Sequence, residues 1–324
     1  MTTKPAFSTA DSDAAPAVAV IITAKDAART APIAVASALG QRLAREVVFV
    51  DDGSRDGTAE AARACDDGRG RLKVIRLDRN RGPAFGRNLA IASSVSPYFC
   101  ILDADDFFGP DRLERMFAAG GEGWDLLADD IVFCRDMTPA SAYDRLLSDD
   151  VATPCEIDLA AFVRGNLPHA NRRRRELGFL KPIVRRATAE RLGVRYDERL
   201  RLGEDVMYYA RLLLGGAVFR LVEACGYHAV QHADSLSARH RTEDIANLYA
   251  ALAEARSESP AAAALDPYLR STRNNLAVRD ALDRKRADGW GGFLGSLGRR
   301  PDCVPHILKT VVRDKLAAVA RAGA

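Results

Sequence analysis

The chain has 324 residues, of which 48% are hydrophobic, and its formal net charge is +3. These values predict a globular protein of about two domains and exclude a general nucleic-acid-binding chain. No apolar run approaches the roughly 18 residues that a bilayer-spanning helix needs, and the six cysteines show no zinc or redox spacing. We therefore expect a cytoplasmic protein, or one that is peripheral to a membrane.

Short apolar strands alternate with Ala-rich helices in the first hundred residues. Residues 1–15 are polar and Ala-rich, which is typical of a disordered leader. Continuous apolar strands between helices indicate an α/β fold with a Rossmann-like, mostly parallel sheet and helices on both faces. Because ligands bind such sheets at the carboxyl ends of the strands, the polar residues found there should converge on one crevice. The pattern predicts strands over 17–23, 46–50, 72–77 and 98–102, and helices over 30–39, 58–65 and 85–93.

The second predicted strand ends in two acids, Asp51 and Asp52, followed by Gly53 and Ser54. Glycine permits a tight turn, and Thr58 is suited to capping the next helix. Two interpretations are open. The carboxylates either satisfy amides of the turn or accept the N–H of a uracil-like base, which would make both acids donor-nucleotide contacts.

The segment 81–88 (RGPAFGRN) opens the helix that follows the third strand. Its glycines, its arginines and the helix N-terminus together suit an anionic nucleotide. Arg87 is the candidate contact. The alternative is that this arginine is a solvated surface charge.

Three carboxylates, Asp103, Asp105 and Asp106, crowd the end of the fourth strand and repel each other unless a cation lies between them. Strand alternation predicts that Asp103 and Asp105 point the same way. Mg²⁺ and Mn²⁺ prefer oxygen ligands and share them with substrate phosphates, so two carboxylates are enough. We expect these two residues to bind the metal and Asp106 to orient or cap the turn. A capped, solvated turn is the alternative.

Two further acids, Glu204 and Asp205, follow Gly203 at the start of an amphipathic helix. One interpretation is that these acids only interact favourably with the helix dipole. The other is that they serve catalysis, with Asp205 as a general base toward an acceptor hydroxyl and Glu204 as an acceptor-side or supporting residue. His232 is a candidate third metal ligand or diphosphate contact, although a lone histidine is usually a satisfied or surface side chain.

The chain beyond residue 241 is mostly helical by composition, with a Gly-rich break predicted over 289–298. Residues 307–322 predict an amphipathic helix, and from Arg284 to the end the local net charge is +6. This tail either packs on the rest of the protein or anchors it to anionic lipid.

In their order along the chain, these motifs resemble the family-two glycosyltransferases of the GT-A fold, and among them bacterial exopolysaccharide glucosyltransferases of the succinoglycan type. The resemblance runs from about Val18 to Ser237. It rests on a first strand ending in Thr23, then DDGSRDGT, RGPAFGRN, LDADD with PDRL, LKPIVRR and RYDERLRLGED.

The resemblance implies an inverting, metal-dependent hexosyltransferase that uses a nucleotide-diphosphate sugar, UDP-glucose by expectation, and a saccharide acceptor linked to a polyprenyl diphosphate. The four arginines at 172–175 would then either contact that diphosphate or form a solvated loop. It implies that Thr23 and Asp52 contact the nucleoside with Asp51 beside them. Asp103 would lie on the ribose or metal side, Asp105 would be the principal metal ligand and Asp205 the base. A GT-A domain is expected over 16–240 and a helical region over 241–324.

Two other functional classes remain open. One is an inactive subunit that binds a nucleotide sugar or supports assembly. The other is a sugar nucleotidyltransferase, which usually carries a Gly- and Arg-rich loop after the first strand, whereas residues 24–29 contain no glycine.

Overall fold

The computed structural model describes residues 16–147, 151–167, 176–231 and 240–322, with the side chains of the last helix as far as Arg313. The first half follows the predicted alternation, and each element lies within two residues of its expected bounds. The elements are β1 (Val18–Ala24), α1 (Ala31–Leu39), β2 (Ala44–Asp51), α2 (Thr58–Arg63), β3 (Leu72–Arg76), α3 (Pro83–Ala92) and β4 (Tyr98–Asp103).

The second half adds shorter strands and most of the helical mass. Its elements are β5 (Phe107–Phe108), α4 (Arg112–Gly120), β6 (Leu126–Cys134), β7 (Ala142–Arg145), β8 (Cys155–Glu156), α5 (Leu159–Gly165), β9 (Ile183–Arg185), α6 (Arg186–Arg191), α7 (Glu204–Leu214), β10 (Phe219–Val230), α8 (Thr242–Glu258), α9 (Asp266–Arg299) and α10 (Val304–Ala322). Short 3-10 turns precede β7, β9, α9 and α10.

All the described strands belong to one sheet, in the order β3-β2-β1-β4-β9-β6-β10-β5, with β7 beside β6 and β8 beside β10. The pairs among β3, β2, β1 and β4 are parallel, as is the pair β6–β10, whereas β9 runs antiparallel to both β4 and β6. The predicted α/β fold with a central sheet and a helical C-terminal region is confirmed. The parallel strands β1, β2, β3 and β4 are connected in turn by the single helices α1, α2 and α3.

The strand order reverses direction at β1. The chain moves outward from β1 through β2 to β3 and then returns to place β4 on the other side of β1. Right-handed connections therefore put α1 and α2 on one face of the sheet and α3 on the other. In register, Thr23 pairs with Asp103 and Ala24 with Asp51. The predicted convergence of these strand ends is confirmed, and it falls at the switch point where α/β sheets bind ligands.

The main core surrounds the sheet and extends into the helical region. β1 is fully buried from Val18 to Ile22, and α8 joins the same core through Leu248 and Leu252. A second, smaller core lies between α9 and α10. No helix in the described part of the chain has both the length and the apolar character needed to cross a bilayer.

The Gly-rich segment of α9 corrects one prediction. The break expected over 289–298 is confined to Gly289, whose backbone is left-handed (φ 65°), and residues 290–299 are helical. Phe293 and Leu297 pack into the small core between α9 and α10. This apolar burial outweighs the low helix propensity of the glycines around them.

Candidate active site

Five charged side chains meet at the carboxyl end of β4, and we call them the ion cluster: Arg87, Asp103, Lys181, Glu204 and Asp205. Nη1 of Arg87 donates to Oε1 of Glu204 and Oδ1 of Asp205, both at 2.9 Å, and its Nη2 donates to Oδ1 of Asp103 at 3.2 Å. Nζ of Lys181 lies 3.0 Å from Oδ2 of Asp103 and 2.8 Å from Oδ2 of Asp205. Two cations thus hold three carboxylates, which leaves one negative charge in excess.

Burial and pairing act in opposite directions on these groups. Burial alone would raise the pKa of Asp103, but Lys181 and Arg87 outweigh it and hold that pKa below its usual range. Burial would lower the pKa of Lys181, and the carboxylates of Asp103 and Asp205 more than reverse this effect. Burial raises the pKa of Glu204, and Arg87 offsets only part of the rise. Buried charges of this kind are tolerated because each has partners of opposite sign.

Two glycines make this convergence possible. A Cβ at Gly86 would lie 2.9 Å from Cγ2 of Thr23, so only a glycine lets α3 approach the end of β1 closely enough to place Arg87 there. Gly203 adopts a left-handed backbone (φ 71°) and redirects the chain into α7, which begins with Glu204 and Asp205.

Asp51 and Asp52 both hold loop amides. The carboxylate of Asp52 accepts the backbone N–H groups of Arg81, at 2.6 Å, and Gly82, at 2.9 Å. Oδ1 of Asp51 accepts the N–H of Ser54 at 2.9 Å. Its Oδ2 is buried without a hydrogen-bond partner and lies 3.7 Å from Nε of Arg76. Both acids therefore hold the loops that follow β2 and β3, and one oxygen of Asp51 is left without a hydrogen bond.

The turn after β4 corrects the strand-alternation argument for Asp103 and Asp105. β4 ends at Asp103, and the N–H of Asp106 closes a turn by donating to the carbonyl of Asp103 at 3.0 Å. Asp105 is therefore an exposed turn residue whose direction does not follow from a strand. The alternation rule fails because it applies only while the backbone stays extended.

Asp106 ties this turn to β10. Its carboxylate accepts the hydroxyl of Tyr227 at 2.8 Å and the N–H of Val230 at 2.9 Å. Burial, together with the nearby charges of Asp103 and Asp105, raises the pKa of Asp106 well above its usual value. The side chain is thus placed to support the turn.

A metal site can be assessed from the donors present. Within the described residues no three side chains of the His, Cys, Asp or Glu type lie close enough to form a closed metal site. His232 lies outside those residues. Asp105 is exposed, and the side chain of Asp103 is 32% exposed although both its oxygens already face cations. The exposed carboxylate of Asp105 is a hard oxygen donor of the kind that Mg²⁺ and Mn²⁺ prefer, whereas Asp103 could join it only by giving up a contact with Arg87 or Lys181.

Next to this edge lies a cleft of about 790 Å³, bounded by the residues that follow β1, β2 and β3. Sequence analysis missed its basic residues, although each lies at or just after the end of a strand. Gly53 (φ 70°) allows the loops to meet, since a Cβ there would lie 2.6 Å from the backbone of Arg79. The residues that line it are Lys25, Asp26, Gly53, Ser54, Arg55, Arg76, Leu77, Asp78, Arg79 and Asn80.

The structure therefore groups the predicted residues by position. Arg87, Asp103, Glu204 and Asp205 meet in the ion cluster, together with Lys181, for which the sequence predicted no role. Asp105 and Asp106 lie in the adjacent turn, and Thr23 pairs with Asp103 across the strands. Thr23, Asp51, Asp52 and Arg87 are not among the residues that line the cleft. The arginines at 172–175 fall outside the described residues.

Comparison with solved structures defines the class. The chain resembles residues 1–349 of TarS from S. aureus in complex with UDP-GlcNAc, with a TM-score of 0.59, 17% identity and coverage of 90% of this chain and 81% of that one. It also resembles the mannosyltransferase PcManGT from Pyrobaculum calidifontis in complex with GDP-Man and Mn²⁺, with a TM-score of 0.54, 18% identity and coverage of 94% and 83%. The fold is that of the GT-A glycosyltransferases.

Sequence comparison then identifies the family. Residues 19–167 match Glycosyl transferase family 2. The chain is 47% identical to the succinoglycan biosynthesis protein ExoU of Rhizobium meliloti (strain 1021), over 92% of this chain and 87% of that protein. It is 34% identical to ExoO of the same strain, over 66% of this chain and 61% of that protein. The chain belongs to glycosyltransferase family 2.

Proposed function

We propose that the protein is an inverting, metal-dependent hexosyltransferase of exopolysaccharide biosynthesis. It transfers a sugar from a nucleotide-diphosphate donor to a hydroxyl of a saccharide acceptor. Family membership and the identity to a succinoglycan biosynthesis protein support this proposal. The observation that carries it is the ion cluster at the carboxyl end of β4, because it brings candidate metal-side and base carboxylates to the switch point beside a basic cleft.

The cleft is the proposed donor site, with UDP-glucose as the donor. Four basic residues, Lys25, Arg55, Arg76 and Arg79, line it against two acids, Asp26 and Asp78. The net charge of +2 on its wall suits an anionic nucleotide. The buried Oδ2 of Asp51 lacks a hydrogen-bond donor and can accept the N–H of a uracil after a small movement of the loop. A GT-A neighbour solved with UDP-GlcNAc is consistent with a uridine donor.

Asp205 is the proposed base. Arg87 and Lys181 each hold one of its oxygens, which fixes the carboxylate in one orientation at the start of α7. From there it receives the proton of the acceptor hydroxyl as that oxygen attacks the anomeric carbon from the face opposite the leaving nucleotide. Glu204 shares Arg87 with it and supports the acceptor side.

Asp105, with Asp103, is the proposed holder of Mn²⁺ or Mg²⁺, which when bound supplies positive charge to the departing diphosphate. A GT-A neighbour solved with GDP-Man and Mn²⁺ supports a divalent ion. The acceptor is proposed to be linked to a polyprenyl diphosphate, which would place the protein in the cytoplasm, at the inner face of the membrane.

Nucleotide release tests the proposal. The protein is incubated with UDP-glucose, UDP-GlcNAc or GDP-mannose, with Mn²⁺ or with a chelator, and free nucleotide is measured in the presence of a lipid-linked saccharide extract. We expect release with UDP-glucose that depends on the metal, and its loss by at least about a hundredfold in Asp105→Asn and Asp205→Asn. Asp288→Asn, at an exposed position of α9, is the matched control.

Two results contradict the proposal. Calorimetric binding of a donor without turnover under any condition would indicate an inactive subunit. Formation of pyrophosphate from a sugar phosphate and a nucleoside triphosphate would indicate a nucleotidyltransferase. If both Asp variants release nucleotide as fast as the wild type, the roles assigned to Asp105 and Asp205 are wrong, although the protein is still a transferase.

A further inference from the structure

The last three helical segments fold back on one another. A Cβ at Gly292 would lie 2.6 Å from the carbonyl of Arg284, eight residues earlier, which a straight helix would hold about 12 Å away. The chain therefore reverses at Gly289. It turns again at Arg300, and Arg273 forms an ion pair of 2.6 Å with Asp302 beside the first part of α9. Residues 290–299 thus run antiparallel to α10.

Each of these two segments buries one stripe of side chains. Phe293 and Ile307 are nearly inaccessible, and Leu297 and Val311 are packed against the same small core. Their spacing of four residues keeps each pair on one helix face. Val311 is turned toward this core, whereas its neighbours Leu308 and Val312 are exposed.

A second apolar stripe lies next to the buried one on both helices. Trp290, Leu294, Leu308 and Val312 are 57%, 62%, 46% and 56% exposed. Leu294, Leu308 and Val312 each follow a core residue by one position, which is a rotation of about 100° around the helix. The first part of α9 also packs against the buried stripes, through Ala277, Val278 and Ala281, and leaves these neighbouring positions exposed. The four residues are the exposed apolar side chains of this helical pair, and we call them together the Trp290 face.

Positive charge surrounds this face. Residues 284–313 contain seven lysines and arginines against two aspartates. Asp302 is paired with Arg273, and Arg284 and Arg286 are paired with Asp280 and Asp283. Nζ of Lys285 lies 4.0 Å from the centre of the Trp290 ring, and Lys309 is exposed on α10 next to Leu308. Exposed aliphatic side chains, a tryptophan with one polar atom and a basic surround are the composition that binds the interface of an anionic bilayer.

We propose that the Trp290 face docks the protein on an anionic lipid surface. The charge complementarity selects lipid over a second copy of this chain, because two such basic faces would repel each other. The face differs from the tail anchor expected from sequence, since it joins two helices and its tryptophan lies outside 307–322. It lies outside the ion cluster and the cleft, and it does not depend on the proposed transfer reaction.

Vesicle sedimentation tests the proposal with the full chain. The protein is mixed with vesicles of phosphatidylcholine, or of phosphatidylcholine and phosphatidylglycerol in equal parts, and the bound fraction is measured. We expect binding to the anionic vesicles alone, and a partition coefficient reduced at least about tenfold in Trp290→Gln/Leu294→Gln and in Leu308→Gln/Val312→Gln. Val95→Gln, at an 87% exposed position elsewhere, is the matched control and should bind like the wild type.

Tryptophan fluorescence gives a second readout. The chain has two tryptophans, and Trp124 is 3% exposed, so a blue shift on adding anionic vesicles reports Trp290. Trp290→Phe should abolish the shift while most of the binding remains. Circular dichroism of each variant shows that the helices are retained.

Three outcomes overturn the proposal. The first is a wild-type protein that does not bind anionic vesicles. The second is a folded double variant that binds them as well as the control does. The third is a lipid-free dimer, measured by analytical ultracentrifugation, that dissociates in the double variants, since this would assign the face to a second copy of the chain.

Discussion

The ion cluster is the feature on which the site depends most at the residue scale. Arg87 and Lys181 are both buried, and between them they contact every carboxylate of the cluster. Because Asp103 and Asp205 both contact Lys181, a substitution at one of them changes the electrostatic environment of the other. A metal that draws on Asp103 would compete with Lys181 for the same oxygens, which couples metal binding to the position of the proposed base.

Removing Lys181 should destabilise the protein. In Lys181→Met, Asp103 and Asp205 lose a buried cation, and we expect the free energy of unfolding in urea to fall by on the order of 3 kcal/mol. Adding Asp103→Asn should recover part of this loss, because the excess negative charge is then smaller. Lys73→Met, at an exposed position, serves as control. Additive losses in the double variant would show that the two groups are not coupled.

Asp130 should give the protein a pH-dependent stability. Burial raises the pKa of this carboxyl from 3.8 to about 6, against the N–H of Leu147, which donates to it at 3.0 Å, and against Arg145 at 3.9 Å. The folded state therefore binds this proton more tightly than the unfolded chain. The resulting stabilisation is present below about pH 4 and is lost as the pH rises through about 6.

Asp130→Asn removes this titration while keeping an oxygen for Leu147. We expect the variant to gain stability relative to wild type as the pH rises from 4 to 7, by on the order of 2 kcal/mol. Denaturant unfolding at several pH values measures the difference. A difference that stays constant over this range would show that Asp130 titrates normally in the folded protein.

At the element scale, the contact of α3 with β1 positions Arg87. We expect Gly86→Ala to destabilise the protein by about 1–2 kcal/mol, because its methyl group would press on Cγ2 of Thr23, whose β-branched side chain cannot easily rotate away. Thr23→Ser removes that methyl group, so the double variant should regain most of the loss in thermal unfolding.

Gly295→Ala is the matched control for the Gly86 substitution. Its position in the segment 290–299 is helical and has no neighbour within 4 Å of an added Cβ. Alanine there should be neutral or stabilising by up to about 1 kcal/mol. Equal losses at both glycines would mean that helix geometry, and not the contact with Thr23, decides the effect at Gly86.

The Gly-rich part of α9 shows how packing overrides local preference. Glycine disfavours helix by about 1 kcal/mol per residue relative to alanine, so composition alone indicates a break. Phe293 and Leu297 recur at helical spacing within the same segment and reach a hydrophobic core. Only Gly289, where the chain must reverse, leaves the helical conformation.

At the scale of the whole molecule, metal and nucleotide should stabilise the protein together. The proposed metal site has at most two protein carboxylates, which bind a divalent ion weakly without the oxygens of a diphosphate. We expect Mn²⁺ or UDP alone to shift the melting temperature little and the two together to raise it. At about a hundred times the dissociation constant the gain is about 3 kcal/mol.

The same measurement on Asp105→Asn separates the metal from the nucleotide. Removal of Mn²⁺ by a chelator should abolish the joint stabilisation in the wild type, and the variant should show none of it at matched concentrations. Asp288→Asn is again the control. If the Asp105 variant still shows the joint stabilisation, the metal is bound by residues other than Asp105.

Local patterns predicted much of the fold. The hydrophobic period predicted the strands and helices of the first hundred residues, and the turn residues predicted the turn at Gly53. The rule that ligands bind at the carboxyl ends of parallel strands predicted the convergence of Thr23, Asp51 and Asp103. These signals act over a few positions or through one simple topology. The motif order also indicated the family, which the sequence comparison confirmed. The roles assigned to Asp105, Asp205 and the nucleotide contacts stay predictions.

Contacts between distant parts of the chain were decided only by tertiary structure. Arg87 and Asp205 are 118 positions apart, and no local pattern reveals that they share a hydrogen bond or that Lys181 completes the cluster. The basic cleft arises because three separate strand ends meet, and the Trp290 face arises because two helices pack antiparallel. Sequence spacing predicts which face of one element a side chain occupies, whereas its partners depend on how the elements pack.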